Sequence, residues 1–306
     1  MTCRPWVALW LGAAWLTAAP AAQEAPHFRA TVGLVVLHAT VKDSHGALVT
    51  DLDESAFTVY ENGKPQPITL FSREEVPVSL GLVIDNSGSM RLVRSRAEEA
   101  ALALVSASTP QDEAFVVNFA DKPRLDVAWT DDWEAVRAGI RRVDAIGGTA
   151  LYDALDMAQA HLHEGASRDR RALVVISDGN DNASMTTIAH VHDALAGGAT
   201  ALYAIGLFRD RDAMDRGRHT LEQLTARTGG EAYFPTGADE TSAVARVIAR
   251  QIRSQYTIAY TPANQALDGS YRSIHVQVHA PERLTVVTRA GYQATSGSTS
   301  SEPHVF

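Results

Sequence analysis

Between Val78 and Arg253, short apolar runs alternate with segments of helical spacing, and this alternation constrains the fold more than any other feature of the chain. Val78 to Ile84, Ala114 to Phe119, Ala172 to Ser177 and Ala201 to Leu207 are nearly continuous apolar runs, the pattern of strands covered on both faces. Helical stripes lie between and after them: Val93, Ala97, Ala101 and Leu104; Trp133, Val136, Ile140 and Val143; Leu151, Leu155, Ala158 and Leu162; Val244, Val247, Ile248 and Ile252. Strand alternating with helix predicts a doubly wound α/β unit, a mostly parallel sheet with helices on both sides. The charged stretch Arg209 to Arg218 reads as a solvated connection on the edge where the loops after the strands gather.

On either side of this unit the pattern is β. Before it come an apolar run Val32 to Val41, a turn at Asp43-Ser44-His45-Gly46, a strand around Phe57 to Tyr60, and Asn62-Gly63 ahead of Ile68 to Phe71. Asn-Gly between apolar runs signals a hairpin, because both residues tolerate positive φ. After it come Tyr256 to Tyr260, a turn at Asp268-Gly269, Tyr271 to Val278, and Leu284 to Thr288. Three strands on each side are too few to bury a core, so the two flanks are expected to pair into one small β-sandwich. The expected divisions are 1–22 (a leader), 27–76 (β), 77–253 (α/β), 254–293 (β) and 294–306, a disordered tail rich in Ser and Thr.

The leader has the three-part pattern of a secretory signal peptide: Arg4, an apolar run Trp6 to Leu16, and small residues Ala18 to Ala22. The run is shorter than the roughly 20 residues of a spanning helix, so no membrane span is expected in the mature chain. Export predicts a periplasmic or secreted protein. The single cysteine, Cys3, sits ahead of the apolar run, where it cannot accept a lipid. A mature chain without a thiol excludes a Cys nucleophile, a disulfide framework and a Cys-ligated zinc site. Removing Arg4 from the 27 basic residues leaves 26 against 36 acidic ones, a net charge of -10, which argues against nucleic-acid binding. The oligomeric state is left open.

Directly after the strand Val78 to Ile84 comes Asp85-Asn86-Ser87-Gly88-Ser89-Met90. In an open parallel sheet, ligands bind at the carboxyl ends of strands where the strand order reverses. Asp85, Ser87 and Ser89 alternate, so a loop turning into a helix can aim one carboxylate and two hydroxyls at one point. Two later loops offer matching groups: Thr149 in Gly147-Gly148-Thr149, at a cap position of the helix that runs from Ala150, and Asp178 in Ser177-Asp178-Gly179-Asn180. Each piece alone reads as a turn or cap. Together, at three ends of strands or helices, they make a set of hard oxygen donors that suits Mg²⁺, Mn²⁺ or Ca²⁺.

Other metal or catalytic signals fail on spacing. His190 and His192 lie two apart on an expected helix and cannot face one point, and His161 and His163 fail likewise. Asp178 to Asn182 begins like a calcium loop, but Ala183 stands at its turn glycine and Ala189 at its bidentate Glu. Asp85-Asn86-Ser87 lacks the second Asp of a phosphatase nucleophile motif. No catalytic residue is predicted.

The ordered set resembles the von Willebrand factor A domains, integrin I domains included, whose metal ion dependent adhesion site is written Asp-x-Ser-x-Ser, then a distant Thr, then a distant Asp. The resemblance covers about residues 77 to 253, and all five positions match. It implies that Asp85, Ser87, Ser89, Thr149 and Asp178 hold one Mg²⁺, with Mn²⁺ or Ca²⁺ as alternatives. It also implies that one coordination position is left for an exposed Asp or Glu of a protein or peptide partner. The flanking segments "FTVYENGKPQPI" and "YTIAYTPANQALDGSYRSIHVQV" and the closing "RAGY" resemble the bacterial, acidobacterial-type subfamily of exported A-domain proteins. The function implied is a secreted, cation-dependent, adhesion-type binding module that is not an enzyme. The alternatives are an envelope assembly protein with a fold-stabilising ion, and a metal-assisted hydrolase, for which no general base or activated nucleophile stands out.

Overall fold

A computed structural model describes residues 33–142, 147–197 and 200–295. The expected leader at 1–22, Val143 of the second helical stripe, and residues 296–306 of the expected tail lie outside the described residues.

The α/β unit is built on a six-stranded sheet of β5 (Val78–Asp85), β6 (Glu113–Phe119), β7 (Pro123–Thr130), β8 (Arg170–Ser177), β9 (Thr200–Gly206) and β10 (Ala232–Tyr233), ordered β10-β9-β8-β5-β6-β7. All neighbours run parallel except the β6–β7 hairpin. Every residue of β5 and β9 is buried, as continuous apolar runs require of strands covered on both faces. One face is covered by α1 (Arg94–Ser106), α2 (Trp133–Ile140) and α6 (Ala238–Arg253), the other by α3 (Leu151–Gly165), α4 (Ile188–Gly197) and α5 (Arg211–Thr225). From β5 the chain moves to β6 on one side and returns to β8 on the other, so the strand order reverses between β5 and β8.

The charged stretch Arg209 to Arg218 is not a solvated connection: it enters α5 at Arg211. Asp210 caps the helix by accepting from Ala213 N–H at 2.8 Å. The buried stripe Ala213, Gly217, Leu221 and Leu224 has a glycine where a large apolar residue would signal a helix, and charged neighbours hide the rest.

The flanks contribute four strands each: β1 (Val35–Lys42), β2 (Phe57–Glu61), β3 (Lys64–Gln66) and β4 (Ile68–Ser72), then β11 (Tyr256–Tyr260), β12 (Tyr271–Val278), β13 (Thr285–Val287) and β14 (Gly291–Gln293). They form two antiparallel sheets, β13-β1-β11-β4 and β14-β12-β2-β3, each mixing strands from both flanks. Leu37 and Ile258 of the first sheet and Val59, Val276 and Tyr292 of the second share one core. Asn62 has φ +48 and Gly63 +75, as the Asn-Gly hairpin requires. Ala294, the first residue of the expected tail, is buried, and its N–H donates to Ser270 O at 2.9 Å.

The buried Arg170 guanidinium joins the two parts. It donates to the carbonyls of Ile252 and Arg253 at the end of α6, to Gln255 O at 3.1 Å, and to Thr257 Oγ1 of β11 at 3.1 Å. Lys42 of β1 pairs with Glu231 beside β10.

Candidate functional site

Asp85 closes β5 and is fully buried. Ser87 N–H donates to its Oδ1 at 2.9 Å, and Ser177 Oγ–H donates to its Oδ2 at 2.6 Å, so the carboxylate is held from both sides. Asn86 N–H donates to Phe119 O at 2.7 Å, which ties the loop to the end of β6. Beyond it the chain makes a 3₁₀ turn over Gly88–Leu92, and the hydroxyls of Ser87 and Ser89 stand 3.0 Å apart.

Two further loops close on this one. Gly88 N–H donates to Gly147 O at 3.3 Å, which brings the Gly147-Gly148-Thr149 segment alongside. Gly148 N–H donates to Asp121 Oδ1 at 2.5 Å, and Thr149 N–H to Asn182 Oδ1 at 2.8 Å, while Thr149 O accepts from Asn182 N–H at 3.0 Å. Thr149 is buried but is not the cap residue: α3 starts at Leu151 with Ala150 before it. Asp178 follows β8, is buried, and its charge acts on Asp85. Its turn depends on glycines, because Gly179 has φ +74 and Gly217 of α5 packs so closely that a Cβ there would lie 1.7 Å from Asp178 O.

Burial pushes the Asp85 carboxyl up to about 6; the hydrogen bonds from Ser177 and Ser87 oppose this shift, and the charge of Asp178 adds to it. Among the described residues, no basic side chain is one of the leading influences on it. Two buried carboxylates without a cation beside them make a site that favours a bound positive charge. The donor pair in hydrogen-bond contact, Ser87 and Ser89, has a separation compatible with one. An octahedral shell at about 2.0 to 2.1 Å places adjacent oxygens about 2.9 to 3.0 Å apart, which is the Ser87–Ser89 separation. Among the described residues, no three His, Cys, Asp or Glu side chains are grouped to hold a metal, so an ion here depends on hydroxyls as well as acids.

Sequence reasoning did not find the groups behind the donors: Ser177, Asn182, Asp121 and a buried amide chain. In that chain Asn86 Nδ2 donates to Asn118 Oδ1 at 2.9 Å, and Asn118 Nδ2 to Asp126 Oδ2 at 2.7 Å. The signal for Asn118 was a polar residue inside the apolar run from Ala114 to Phe119. His190 pairs with Asp156 at 3.2 Å, and His192 Nε2 meets Gln223 O at 3.1 Å, both away from the Asp85 loop.

Residues 80–180 match the family model of the von Willebrand factor type A domain, a stretch that begins in β5 and ends just past Asp178. The α/β unit has that fold. Comparison with curated proteins finds no match. Among solved structures, proximal thread matrix protein 1 from the mussel byssus is similar at 16% identity and a TM-score of 0.51, over 63% of this chain and 51% of that one. A second structure of the mussel protein, whose metal ion dependent adhesion motif holds zinc, gives 17% identity and a TM-score of 0.50, over 63% and 50%. The conserved protein BatB from Bacteroides thetaiotaomicron matches at 17% identity and a TM-score of 0.45, over 58% of this chain and all of that one. The chain thus spans about half of the mussel protein's length. Among the described residues, no helix is long and apolar enough to cross a membrane.

Proposed function

We propose that this protein is an exported, divalent-cation-dependent binding module that captures a protein or peptide through an exposed Asp or Glu of the partner. Asp85, Ser87, Ser89, Thr149 and Asp178 hold the ion, with Mg²⁺ favoured by the hard oxygen set. The observation that carries the reading is the convergence of two buried carboxylates and two hydroxyls 3.0 Å apart at the point where the strand order reverses, with no basic side chain of the described residues among the leading influences on Asp85. When bound, the ion supplies a Lewis-acidic position for an incoming carboxylate.

The chain's own residues keep the donors in place. Ser177 and Ser87 N–H orient Asp85, Asn182 fixes Thr149, and the Gly179–Gly217 contact sets the Asp178 turn. The surroundings suit a macromolecular partner. Met185 and Leu92 are the most exposed large apolar residues among those described, at 95% and 78%, and they stand on the loops after β8 and β5 that carry the donors. The structure of the mussel protein with zinc in its adhesion motif supports the ion.

Thermal melting in Mg²⁺ and then EDTA tests the ion: Mg²⁺ should raise the melting point of the wild-type chain and leave Asp85→Ala unchanged. Affinity capture from the native host's envelope and medium, with Mg²⁺ and again with chelator, tests the partner. Capture that survives EDTA or Asp85→Ala would assign the ion to the fold alone, and turnover on a hydrolase panel would replace binding by catalysis.

A further inference from the structure

At the end of the sheet opposite the Asp85 loop, a cleft of about 520 Å³ opens between the carboxyl-terminal ends of α4 and α5 and the strands β12 and β14. Its size and its place, at the junction of the α/β unit and the flanking sheets, are those of a small-molecule site. Leu195 lines its apolar part, and Asp193, Gln223, Arg227, Tyr271 and Gln293 supply polar groups. Tyr271 is 42% exposed. Its ring lies across Gly291, where a Cβ would fall 2.5 Å from its Cζ and Oη, so the absence of a side chain there makes room for the aromatic group. Arg227 stands on a pinned backbone: φ is +73, and its carbonyl accepts from Ala290 N–H at 3.0 Å.

Asp193 and Arg227 are both exposed and both line the cleft, yet neither side chain forms an ion pair or hydrogen bond with the other or with any described residue. Opposite charges are therefore held apart, and together they cancel; His192, which also lines the cleft, has its Nε2 engaged by Gln223 O at 3.1 Å. A simple anion or cation gains little from such a lining. A neutral ring bearing hydroxyls gains from all of it: the carboxylate, the guanidinium and the two amides are planar groups that meet adjacent hydroxyls in pairs, and the tyrosine offers an apolar face with a polar tip.

We propose that this cleft binds a neutral saccharide, with a sugar ring on Tyr271 and its hydroxyls on Asp193, Gln223, Arg227 and Gln293. A zwitterionic amino acid could engage Asp193 and Arg227, but exposed ion pairs contribute little, and it would leave Tyr271 and both amides unused.

The test is retention of the full chain on an array of neutral oligosaccharides, followed by calorimetric titration of the best-retained glycan. Tyr271→Ala and Arg227→Ala should each weaken binding at least tenfold with unchanged melting temperatures, and binding should be equal in Mg²⁺ and in EDTA, which separates it from the cation site. The proposal is overturned if no neutral glycan is retained, if Tyr271→Ala binds as the wild type does, or if free amino acids displace the glycan.

Discussion

Replacing Asp85 by Asn should make the cation-free protein more stable and, in the same step, indifferent to Mg²⁺. Burial, chiefly, pushes the Asp85 carboxyl from its ordinary 3.8 up to about 6. A folded-state value above the unfolded one stabilises the fold only while the group is protonated; that contribution is complete below about 3.8 and is lost as pH rises through 6. At about 1.4 kcal/mol per unit, the charged Asp85 therefore costs the folded state about 3 kcal/mol at pH 7. Asparagine removes the charge but offers one acceptor oxygen in place of two. With Oδ1 kept on Ser87 N–H, the new amide nitrogen faces Ser177 Oγ, which must then accept rather than donate while already accepting from Gly179 N–H, at a cost of about 1 to 2 kcal/mol. The net gain in EDTA should be about 1 to 2 kcal/mol. In Mg²⁺ at a hundred times its dissociation constant, the wild type should gain about 2.7 kcal/mol and the variant nothing, so the order of stability inverts. Urea unfolding at pH 7, in EDTA and in Mg²⁺, reads both differences. A variant less stable than the wild type in EDTA would show that the two hydrogen bonds outweigh the buried charge. An undiminished response to Mg²⁺ would remove Asp85 from the ion's surroundings.

Three other outcomes are expected. Gly217→Ala places a methyl 1.7 Å from Asp178 O, so backbone must move; the variant should lose about 2 kcal/mol or more and respond less to Mg²⁺, whereas Gly197→Ala, with nothing within 4 Å of its Cβ, should match the wild type in urea. His38 is held down at about 3 by burial and by the cations Arg170 and Arg289, so stability should fall by about 1 kcal/mol per pH unit as pH drops from 6.5 to 3, less than the full linkage slope because the residue is only half-buried; an equal slope in His38→Gln, by urea midpoints across that range, would clear this residue of the effect. Asp121→Ala deprives Gly148 N–H of its acceptor and should shift the Mg²⁺ midpoint in a fluorescence melt about tenfold while leaving the EDTA melting point nearly unchanged.

The parts of the fold that the sequence made legible are those where one physical rule acts alone. β5 and β9 are buried along their whole length, and an apolar run says so. α5 was hidden because its buried stripe opens with the small residues Ala213 and Gly217, the second packed closely against the Asp178–Gly179 turn, rather than with large apolar ones. Likewise the donors were legible and their supports were not. Asp85, Ser87 and Ser89 are spaced along one loop, but the residues that orient Asp85 and Thr149 come from remote segments: Ser177 from β8 and Asn182 from the loop beyond it. Hydrogen bonds between distant segments leave no periodicity in the chain. The hairpin β6–β7 had a different reason to be missed, since β7 is an edge strand whose residues are mostly half-exposed and carry no clean alternation.

The position of the flanking sheets follows from the direction of the chain in the α/β unit. β5 enters at the amino end of the sheet; α6 runs back against the strands and ends there too, so both connections to the flanks leave from one end. Arg170, at the start of β8, fixes that arrangement by binding the last carbonyls of α6 and Thr257 of β11 at once. Any pair of segments inserted at these two points is placed opposite the loops that follow β5 and β8. The flanking sheets can therefore bury their own core without covering Asp85, Ser87, Ser89 or Asp178, and the loops bearing Leu92 and Met185 stay open to a partner. Removing the Arg170 guanidinium would leave those carbonyls buried without donors. The loss should appear as weakened cooperativity between the sheets and the α/β unit, while the cation response, at the other end of the sheet, persists in whatever fraction stays folded.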